Sequence, residues 1–311
     1  MGPVDLVSFG EPLMGFYPPP GRSMTEDVPV VKTWGGDTSN VALAAARLGL
    51  ASAFLCRVGD DVFGRSFIDL WKGRGVDTRL VQTDREKRTG LYFISFEKEK
   101  HVFTYYRDDS AARRISFEEI DLNILRGARV LHLSGISLAI GENARTTARR
   151  LMAFAKEAGI QVSLDVNYRP PLWPPGEARQ VIQEAARSFV HVLEVTDDEL
   201  RLLGWDVPPE KVPEVLPGPT IHVVKQGHRG AYIAGPGEGF HVPAFPVEVK
   251  DTVGAGDAFD AGFLAALLEG RSLREAGAFA AATAAIVCTG VGPLQRQPGR
   301  DEVEDFLRER G

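Results

Sequence analysis

The sequence alternates apolar segments of strand length with segments of helical pattern along almost its whole length. The apolar segments are nearly continuous and rich in β-branched residues, which is typical of strands buried on both faces of a parallel sheet. Predicted strands of this kind cover 4–10, 128–136, 160–167, 190–196 and 220–227. Predicted helices between them include 142–158 and 177–188. This alternation predicts an α/β fold in which helices flank a mostly parallel central sheet.

Two further segments have the aromatic and β-branched composition of antiparallel strands. They cover 12–33 and 88–107, and the second contains a polar turn at Glu97–Lys100 that predicts a hairpin. We expect both segments to form a small antiparallel sheet that covers part of the α/β body as a lid. At about 150 residues per domain, the chain fits either two domains or one large α/β unit.

Charge and cysteine content argue against several classes of protein. The 36 basic and 42 acidic residues give a formal net charge of −6, whereas a nucleic-acid-binding domain is strongly basic. Cys56 and Cys288 lack the paired spacing of a zinc site, so we expect reduced core thiols and a cytoplasmic protein. The uncharged stretch 276–288 is too short for a membrane span and predicts a buried helix. We therefore expect neither a nucleic-acid partner nor a membrane partner.

The segment DTVGAGDAFDAGFLAALLEG at 251–270 is the strongest functional motif. Gly254, Ala255 and Gly256 precede an apolar helical run, and the free N–H groups of such a helix start favour an anion, particularly phosphate. Asp257 lies in the first turn, where it could accept a hydroxyl proton during phosphoryl transfer. A carboxylate at a helix start is expected to have a low pKa. The alternative is a helix cap whose acid is favoured by the helix dipole.

Two other phosphate-binding motifs match poorly. The segment GAGDAF lacks the third glycine of G-x-G-x-x-G and has no ribose-binding acid about 20 residues further on. The chain also lacks the G-x-x-x-x-G-K-[ST] motif of a P-loop. A dinucleotide-binding reductase therefore stays a weaker alternative, and a P-loop NTPase is disfavoured.

A second segment rich in glycine and polar residues, GGDTSNVALAAARLG, covers 35–49. Gly35 and Gly36 permit close approach of the backbone, and the side chains of Asp37 and Asn40 can pair with neighbouring hydroxyls of a polyol. The alternative is a turn and helix cap that needs no ligand. A sugar sensor without catalytic activity would use the same residues, but Asp257 and its neighbouring glycines favour catalysis.

Both motifs resemble the signature patterns of the ribokinase-like (phosphofructokinase B type) carbohydrate kinases. CRVGDDVFGRSF at 56–67 and GVDT at 75–78 are also similar to that family. The resemblance implies a ribokinase-like three-layer fold in a single domain, 1–311, with a β-sheet lid that often forms a dimer contact. It also implies an ATP-dependent kinase that phosphorylates a primary hydroxyl of a sugar and uses Mg²⁺. Some members use a monovalent cation such as K⁺, for which the matching position here is near Asp251.

The resemblance also implies a role for each matching residue. Asp257 resembles the catalytic base, and the anion hole matches Gly254, Ala255 and Gly256. Glu199 matches the acid of the family's N-x-x-E pattern, which acts on magnesium, although Thr196 stands where the family usually has asparagine. The sugar-site positions of the second motif are Gly36, Asp37 and Asn40. The nucleotide-site positions are Asn167, Thr196, Lys225, Gly227, Gly230 and Thr252.

Within that family, TYYR at 104–107 together with DVNYRP at 165–170 is most similar to 2-keto-3-deoxygluconate kinases. That substrate carries a carboxylate, which an arginine fork matches with two hydrogen bonds. The resemblance implies that the acid end and its pocket involve Tyr92, Tyr105, Arg107, Arg169 and Ile136. Val291 and Pro293 stand where some close relatives have an acid, which keeps fructokinase and other hexose or pentose kinases open.

Overall fold

The computed structural model describes residues 3–19, 21–97 and 100–310, and thirteen strands in this part form two sheets. The turn that we expect at Glu97–Lys100 includes residues outside the described part. In chain order the strands are β1 (Leu6–Phe9), β2 (Leu13–Tyr17), β3 (Val31–Gly35), β4 (Ser52–Gly59), β5 (Val81–Asp84), β6 (Gly90–Glu97), β7 (Lys100–Tyr106), β8 (Val130–Ser134), β9 (Gln161–Asp165), β10 (Val192–Thr196), β11 (Ile221–Lys225), β12 (Ala231–Gly235) and β13 (Glu238–Val242).

Nine strands form the central sheet in the order β13-β12-β11-β10-β9-β8-β1-β4-β5. Every pairing from β11 to β5 is parallel, and only β12 and β13 add antiparallel pairings at one edge. All five predicted strands are present, and each is shorter than predicted by at most two residues at either end. The prediction of a mostly parallel sheet is confirmed.

The helices lie on both faces of this sheet. They are α1 (Asp37–Arg47), α2 (Val62–Gly73), α3 (Leu122–Arg126), α4 (Gly135–Ala139), α5 (Glu142–Ala158), α6 (Pro175–Ser188), α7 (Asp197–Leu202), α8 (Val212–Val215), α9 (Ala255–Leu268), α10 (Leu273–Cys288) and α11 (Arg300–Arg310). Helix α5 has the predicted bounds, and α6 begins two residues earlier than predicted. The stretch 276–288 is the greater part of α10, which is buried as predicted. No helix in the described part of the chain is long and apolar enough to cross a membrane.

Neighbouring residues of β1 show how three layers form. Leu6 belongs to the apolar cluster that includes Phe263 of α9 and Phe279 of α10. Val7 points the other way, into the cluster that includes Leu151 of α5. Side chains alternate along a strand, so a strand that is apolar throughout needs a helical layer on each face. The three-layer α/β fold is therefore confirmed.

The lid is a four-stranded sheet in the order β3-β2-β6-β7. The pairs β2–β3 and β6–β7 are antiparallel, as expected for the two segments, whereas the central pair β2–β6 is parallel. β2 follows the end of β1, and β6 follows the end of β5. Both lid strands thus leave the body from parallel strands, which explains why they run in the same direction. β3 reaches Gly35, beyond the expected end of the lid segment, and thereby joins the lid directly to α1.

Candidate active site

The polar residues predicted for the site follow the carboxyl ends of parallel strands, which lie along one edge of the central sheet. Asn167 comes two residues after β9, Thr196 ends β10 and Lys225 ends β11. In open α/β sheets, ligands bind in the crevice outside these strand ends. The parallel topology therefore brings together residues that are far apart in the sequence.

The glycine motif forms the start of α9. Gly254 has a φ of 82°, and a Cβ at this position would lie 2.4 Å from Pro293 Cβ, so the turn requires glycine. Ala255 and Gly256 begin a helix of 14 residues. Its first N–H groups have no partner within the helix, which suits them to an anion. Thr252 is exposed in the preceding turn, where its carbonyl accepts a hydrogen bond from Ala255 N.

Asp257 lies in the first turn of α9, next to these N–H groups. Its Oδ2 accepts a hydrogen bond of 2.7 Å from Asn40 Nδ2. Desolvation of the carboxyl, followed by the charge of Asp37, raises the pKa of Asp257 to about 7. The expectation of a low pKa is wrong because burial and a like charge outweigh the helix dipole. A carboxyl that titrates near neutrality is a better proton acceptor than one of low pKa.

The second motif forms the start of α1. The helix begins at Asp37 after Gly36, whose φ is 113°. Asp37 Oδ2 accepts a hydrogen bond of 2.9 Å from Asn167 Nδ2. Asn167 is the one non-glycine residue of the described part with a positive φ, 37°. Strained backbone of this kind is concentrated at functional sites, and here it aims a carboxamide at a carboxylate next to the strand ends.

The two motifs meet because α1 packs against α9. Val41 and Ala44 of α1 belong to the same apolar cluster as Phe259 and Phe263 of α9. This contact places Asn40 against Asp257 and makes the charges of Asp37 and Asp257 interact, as the pKa of Asp257 indicates. The structure thus brings the predicted sugar residues and the predicted base into one cluster.

The lid residues predicted for the sugar acid have partners within the protein. Arg107 is buried and forms an ion pair with Glu11, which also accepts a hydrogen bond of 2.7 Å from Ser110 Oγ. Burial raises the pKa of Glu11, and the charge of Arg107 opposes this. The rings of Tyr92 and Tyr105 lie 6.2 Å apart. Arg107 Nε is buried and has no hydrogen-bond partner in the described part of the chain.

Two residues of the α/β body, Arg169 and Ile136, are also predicted to bind the sugar acid. Arg169 is half-exposed, and its Nη1 lies 3.7 Å from Glu199 Oε1. Its charge also lowers the pKa of Asp37, which burial raises on balance. Ile136 lies on α4, partly buried against the core. Arg169 therefore lies within electrostatic range of two carboxylates.

The Thr196 and Glu199 pair forms a capping box at the start of α7. Glu199 Oε2 accepts a hydrogen bond of 2.9 Å from Thr196 N, and Thr196 Oγ1 accepts one of 3.1 Å from Glu199 N. Desolvation and the charge of Asp165 raise the pKa of Glu199. The threonine thus performs the capping that holds Glu199 at the strand ends.

The turn after β11 contains Gly227 and Gly230, both with positive φ.

Lys225 is buried, and its ammonium lies 2.8 Å from Asp260 Oδ1 and 3.2 Å from Asp165 Oδ1. Glu194 is buried next to them. Sequence reasoning missed Asp165, Glu194, Asp260 and Glu11 as site residues. One signal was available for three of them, because a single acid inside an apolar strand or helix needs a buried partner.

Comparisons with known proteins find relatives along nearly the whole chain. The model of the pfkB family of carbohydrate kinases matches residues 4–298. Fructokinase-2 of Zea mays is 36% identical over 97% of this chain and 93% of its own. A putative ribokinase II of E. coli, solved in complex with ATP and Mg²⁺, has a TM-score of 0.89 at 25% identity and covers 99% of this chain and 100% of its own.

A 2-dehydro-3-deoxygluconokinase of Thermotoga maritima has a TM-score of 0.88 at 25% identity, with coverage of 98% of this chain and 99% of its own. The family match spans both glycine motifs, the strand ends between them and the lid. The chain belongs to the pfkB family of carbohydrate kinases and is an ATP-dependent sugar kinase.

Proposed function

We propose that this kinase transfers the γ-phosphoryl group of ATP to a primary hydroxyl of a neutral ketohexose, with fructose as the first candidate. The observation that carries the proposal is the buried ion pair between Arg107 and Glu11. The carboxylate of Glu11 neutralises Arg107, so the charge of this arginine is not free for an acidic sugar. Relatives named fructokinases, such as that of Zea mays, support the same choice.

The charges around the proposed sugar-binding residues also favour a neutral substrate. The carboxyl groups of Asp37 and Asp257 interact with each other there, and Arg169 already lies 3.7 Å from Glu199. A carboxylate brought next to two carboxyl groups would meet repulsion, whereas neutral hydroxyls can pair with carboxylates and carboxamides. We assign sugar hydroxyls to Asp37 and Asn40, with Gly36 allowing the backbone to approach.

The chemistry follows from the position of Asp257. Its carboxyl accepts the proton of the attacking hydroxyl, and Asn40 fixes the carboxyl by its hydrogen bond. The N–H groups of Gly254 and Gly256 bind the phosphoryl oxygens as negative charge develops, and that of Ala255 joins them when it releases Thr252 O. A pKa of about 7 keeps a substantial fraction of Asp257 ionised at neutral pH.

ATP and Mg²⁺ are assigned to the carboxyl ends of β9, β10 and β11 and to the loop before α9. We assign the nucleotide to the residues that follow β9, β10 and β11 and to the loop before α9, namely Asn167, Thr196, Lys225, Gly227, Gly230 and Thr252. Glu199 is the candidate for the metal. One of its oxygens accepts a hydrogen bond from Thr196 N and the other lies 3.7 Å from Arg169 Nη1, so a hydrated Mg²⁺ suits it better than direct coordination. When bound, Mg²⁺ neutralises phosphate charge.

A sugar acid is the second candidate, and one observation favours it. Arg107 Nε is buried without a partner in the described part of the chain, which a carboxylate oxygen could satisfy. Arg107 lies over the ring of Tyr105 at 5.5 Å, and the ring of Tyr92 is the neighbour of that of Tyr105. Under this alternative the substrate is 2-keto-3-deoxygluconate, the compound named in the Thermotoga maritima kinase.

A coupled assay of ADP release separates the two candidates. The substrates are fructose, ribose, 2-keto-3-deoxygluconate and 2-keto-3-deoxygalactonate, and Asp257→Asn serves as the inactive control. We expect kcat/KM for fructose to exceed that for either acid at least about 100-fold, the effect of roughly 2.7 kcal/mol in the transition state. A preference for an acid, lost in Arg107→Ala, would replace our first candidate with the second.

We also propose that two copies of the chain pair through the lid. The lid exposes large apolar residues at 39–65% of their surface, namely Val31, Phe103, Tyr105 and Tyr106, with Val102 at 40%. An exposed apolar sheet with free edges readily pairs with a copy of itself. Light scattering should give twice the mass of one chain, and Val102→Lys should lower it. A monomer at micromolar concentration would contradict this.

A further inference from the structure

Four ionisable side chains form a buried network beneath the glycine motif. Asp165 and Glu194 are register partners on β9 and β10, and Lys225 ends the next strand. Asp260 follows Asp257 by three residues on α9, so both lie on the same side of the helix. These four residues are at most 8% exposed, and Glu194 and Asp260 are 0% exposed.

The network has more carboxyl groups than positive charges. Lys225 binds Asp260 Oδ1 and Asp165 Oδ1. Both oxygens of Glu194 and Oδ2 of Asp260 have no hydrogen-bond donor in the described part of the chain, and Asp165 Oδ1 has only its ion pair with Lys225. If every carboxyl were ionised, three negative charges would face one ammonium in a desolvated site, which is costly.

The orphaned oxygens explain how this cost is avoided. The carboxyl groups of Glu194 and Asp260 lie within hydrogen-bonding reach of each other. Two ionised carboxylates have only acceptors, whereas one added proton supplies a donor to the pair. A single proton therefore satisfies two orphaned oxygens and removes one of the excess charges.

We propose that Glu194 and Asp260 share one proton, and that this pair is a positioning element that holds the Lys225 ammonium beneath the anion loop. Lys225 Nζ lies 3.6 Å from the place where a Cβ on Gly256 would stand, so its charge is directly under that loop. The shared proton is independent of the substrate. Its effect on nucleotide binding rests on the proposed function.

The surrounding groups support a proton held at neutral pH. The charged groups that act on Glu194 are Lys225 of β11, Asp260 of α9 and Asp165 of β9. His132 of β8 and Asp257 of α9 interact in turn with Asp165 and Lys225. Desolvation raises the pKa of Glu194 to about 7, with Asp165 adding to this and Lys225 opposing it. Desolvation and the charge of Glu194 raise the pKa of Asp260. Burial lowers the pKa of His132 to about 4, so the imidazole is neutral and contributes no charge.

Loss of the shared proton should weaken the binding of ATP, because it adds negative charge near the phosphates. As the pH rises through the range in which the pair titrates, the pair loses its proton and gains one negative charge next to Lys225. The field at the anion loop then becomes less favourable to the phosphates. One added charge at about 12 Å changes an affinity by about tenfold at an effective dielectric constant of 20. KM for ATP should therefore rise about tenfold between pH 6.5 and 8.5.

Glu194→Gln tests the proton directly, because glutamine keeps the shape and the donor but cannot ionise. In infrared spectra in D₂O at pH 6.5, we expect the C=O band of protonated carboxylic acid to lose intensity in Glu194→Gln and in Asp260→Asn. The matched control is Asp84→Asn, since Asp84 is buried but forms an ion pair with Arg57. Circular dichroism identifies any variant that fails to fold. Unchanged intensity in both folded network variants would overturn the proposal.

The positioning role has a separate measurement. Between pH 6.5 and 8.5, KM for ATP should rise clearly less in Glu194→Gln than in the wild type, because only the ionisation of Asp257 then adds negative charge next to the phosphates. A loss of the infrared band with an unchanged pH profile of KM would refute the positioning role and keep the shared proton. If the chain phosphorylated none of the sugars tested, the proposed function would fail while the infrared result would still stand.

Discussion

Asn40 Nδ2 donates a hydrogen bond to Asp257 Oδ2 across 2.7 Å, although the two residues are 217 positions apart. One residue belongs to the motif at the start of α1 and the other to the motif at the start of α9. The bond therefore fixes the distance between the proposed sugar residues and the proposed base. In the proposed mechanism, a sugar hydroxyl held by one motif is presented to the base of the other.

Asp257→Asn should abolish most of the catalytic activity. Asparagine keeps the shape and the hydrogen-bonding reach but cannot accept the hydroxyl proton, so we expect kcat to fall about 10²–10⁴-fold. ATP affinity should change little or increase slightly, because a negative charge next to the phosphates is lost. Calorimetric titration with ATP measures the affinity, and ADP release measures kcat. A variant with more than a tenth of the wild-type kcat would exclude Asp257 as the base.

Asn40→Ala should shift the pH dependence of catalysis. The hydrogen bond from Asn40 favours the ionised form of Asp257 and lowers its pKa, against the larger effect of desolvation. Activity that needs the ionised carboxylate rises with pH, so loss of the bond moves the acidic limb of kcat/KM to higher pH. We expect a shift of about one pH unit.

The matched control for this shift is Asn123→Ala, since Asn123 is exposed on α3. Its pH profile should overlay that of the wild type. A uniform loss of activity in Asn40→Ala, with the acidic limb in place, would mean that Asn40 only binds the sugar.

The sequence predicted the elements of the site better than its electrostatics. Strand–helix alternation and the two motifs were sufficient to predict the sheet, α5 and the residues that meet at the strand ends. The pKa of Asp257 could not be predicted, because it depends on burial and on the charge of Asp37, 220 positions earlier. The ion pair between Arg107 and Glu11 depends likewise on how the lid packs on the body. The parallel pairing of β2 with β6 follows from where the lid segments leave the sheet, which local composition does not encode.

The Arg107–Glu11 ion pair should be important for stability. Both side chains are at most 6% exposed, so removal of one partner leaves a buried charge unpaired. We expect Glu11→Leu or Arg107→Met alone to lower the free energy of unfolding by about 3–5 kcal/mol, and the double variant to recover most of that loss. Urea denaturation measures each value.

The double variant also bears on the substrate. Because a neutral sugar does not need the charge of Arg107, fructose turnover should persist when both partners are apolar. Loss of fructose turnover in a stably folded double variant would indicate that Arg107 contacts the substrate.

Gly254→Ala should damage the anion loop more than its backbone strain alone explains. Gly254 and Gly270 flank α9 and have φ values of 82° and 81°, so alanine meets similar conformational strain at both, about 1–2 kcal/mol. A Cβ at Gly254 would lie 2.4 Å from Pro293 Cβ, whereas a Cβ at Gly270 would have no atom within 4 Å. Alanine at 254 must therefore displace the loop to whose N–H groups we assign the phosphate. We expect kcat/KM for ATP to fall at least about 100-fold in Gly254→Ala and less than twofold in Gly270→Ala. Comparable losses of kcat/KM in the two variants would contradict this role of the loop.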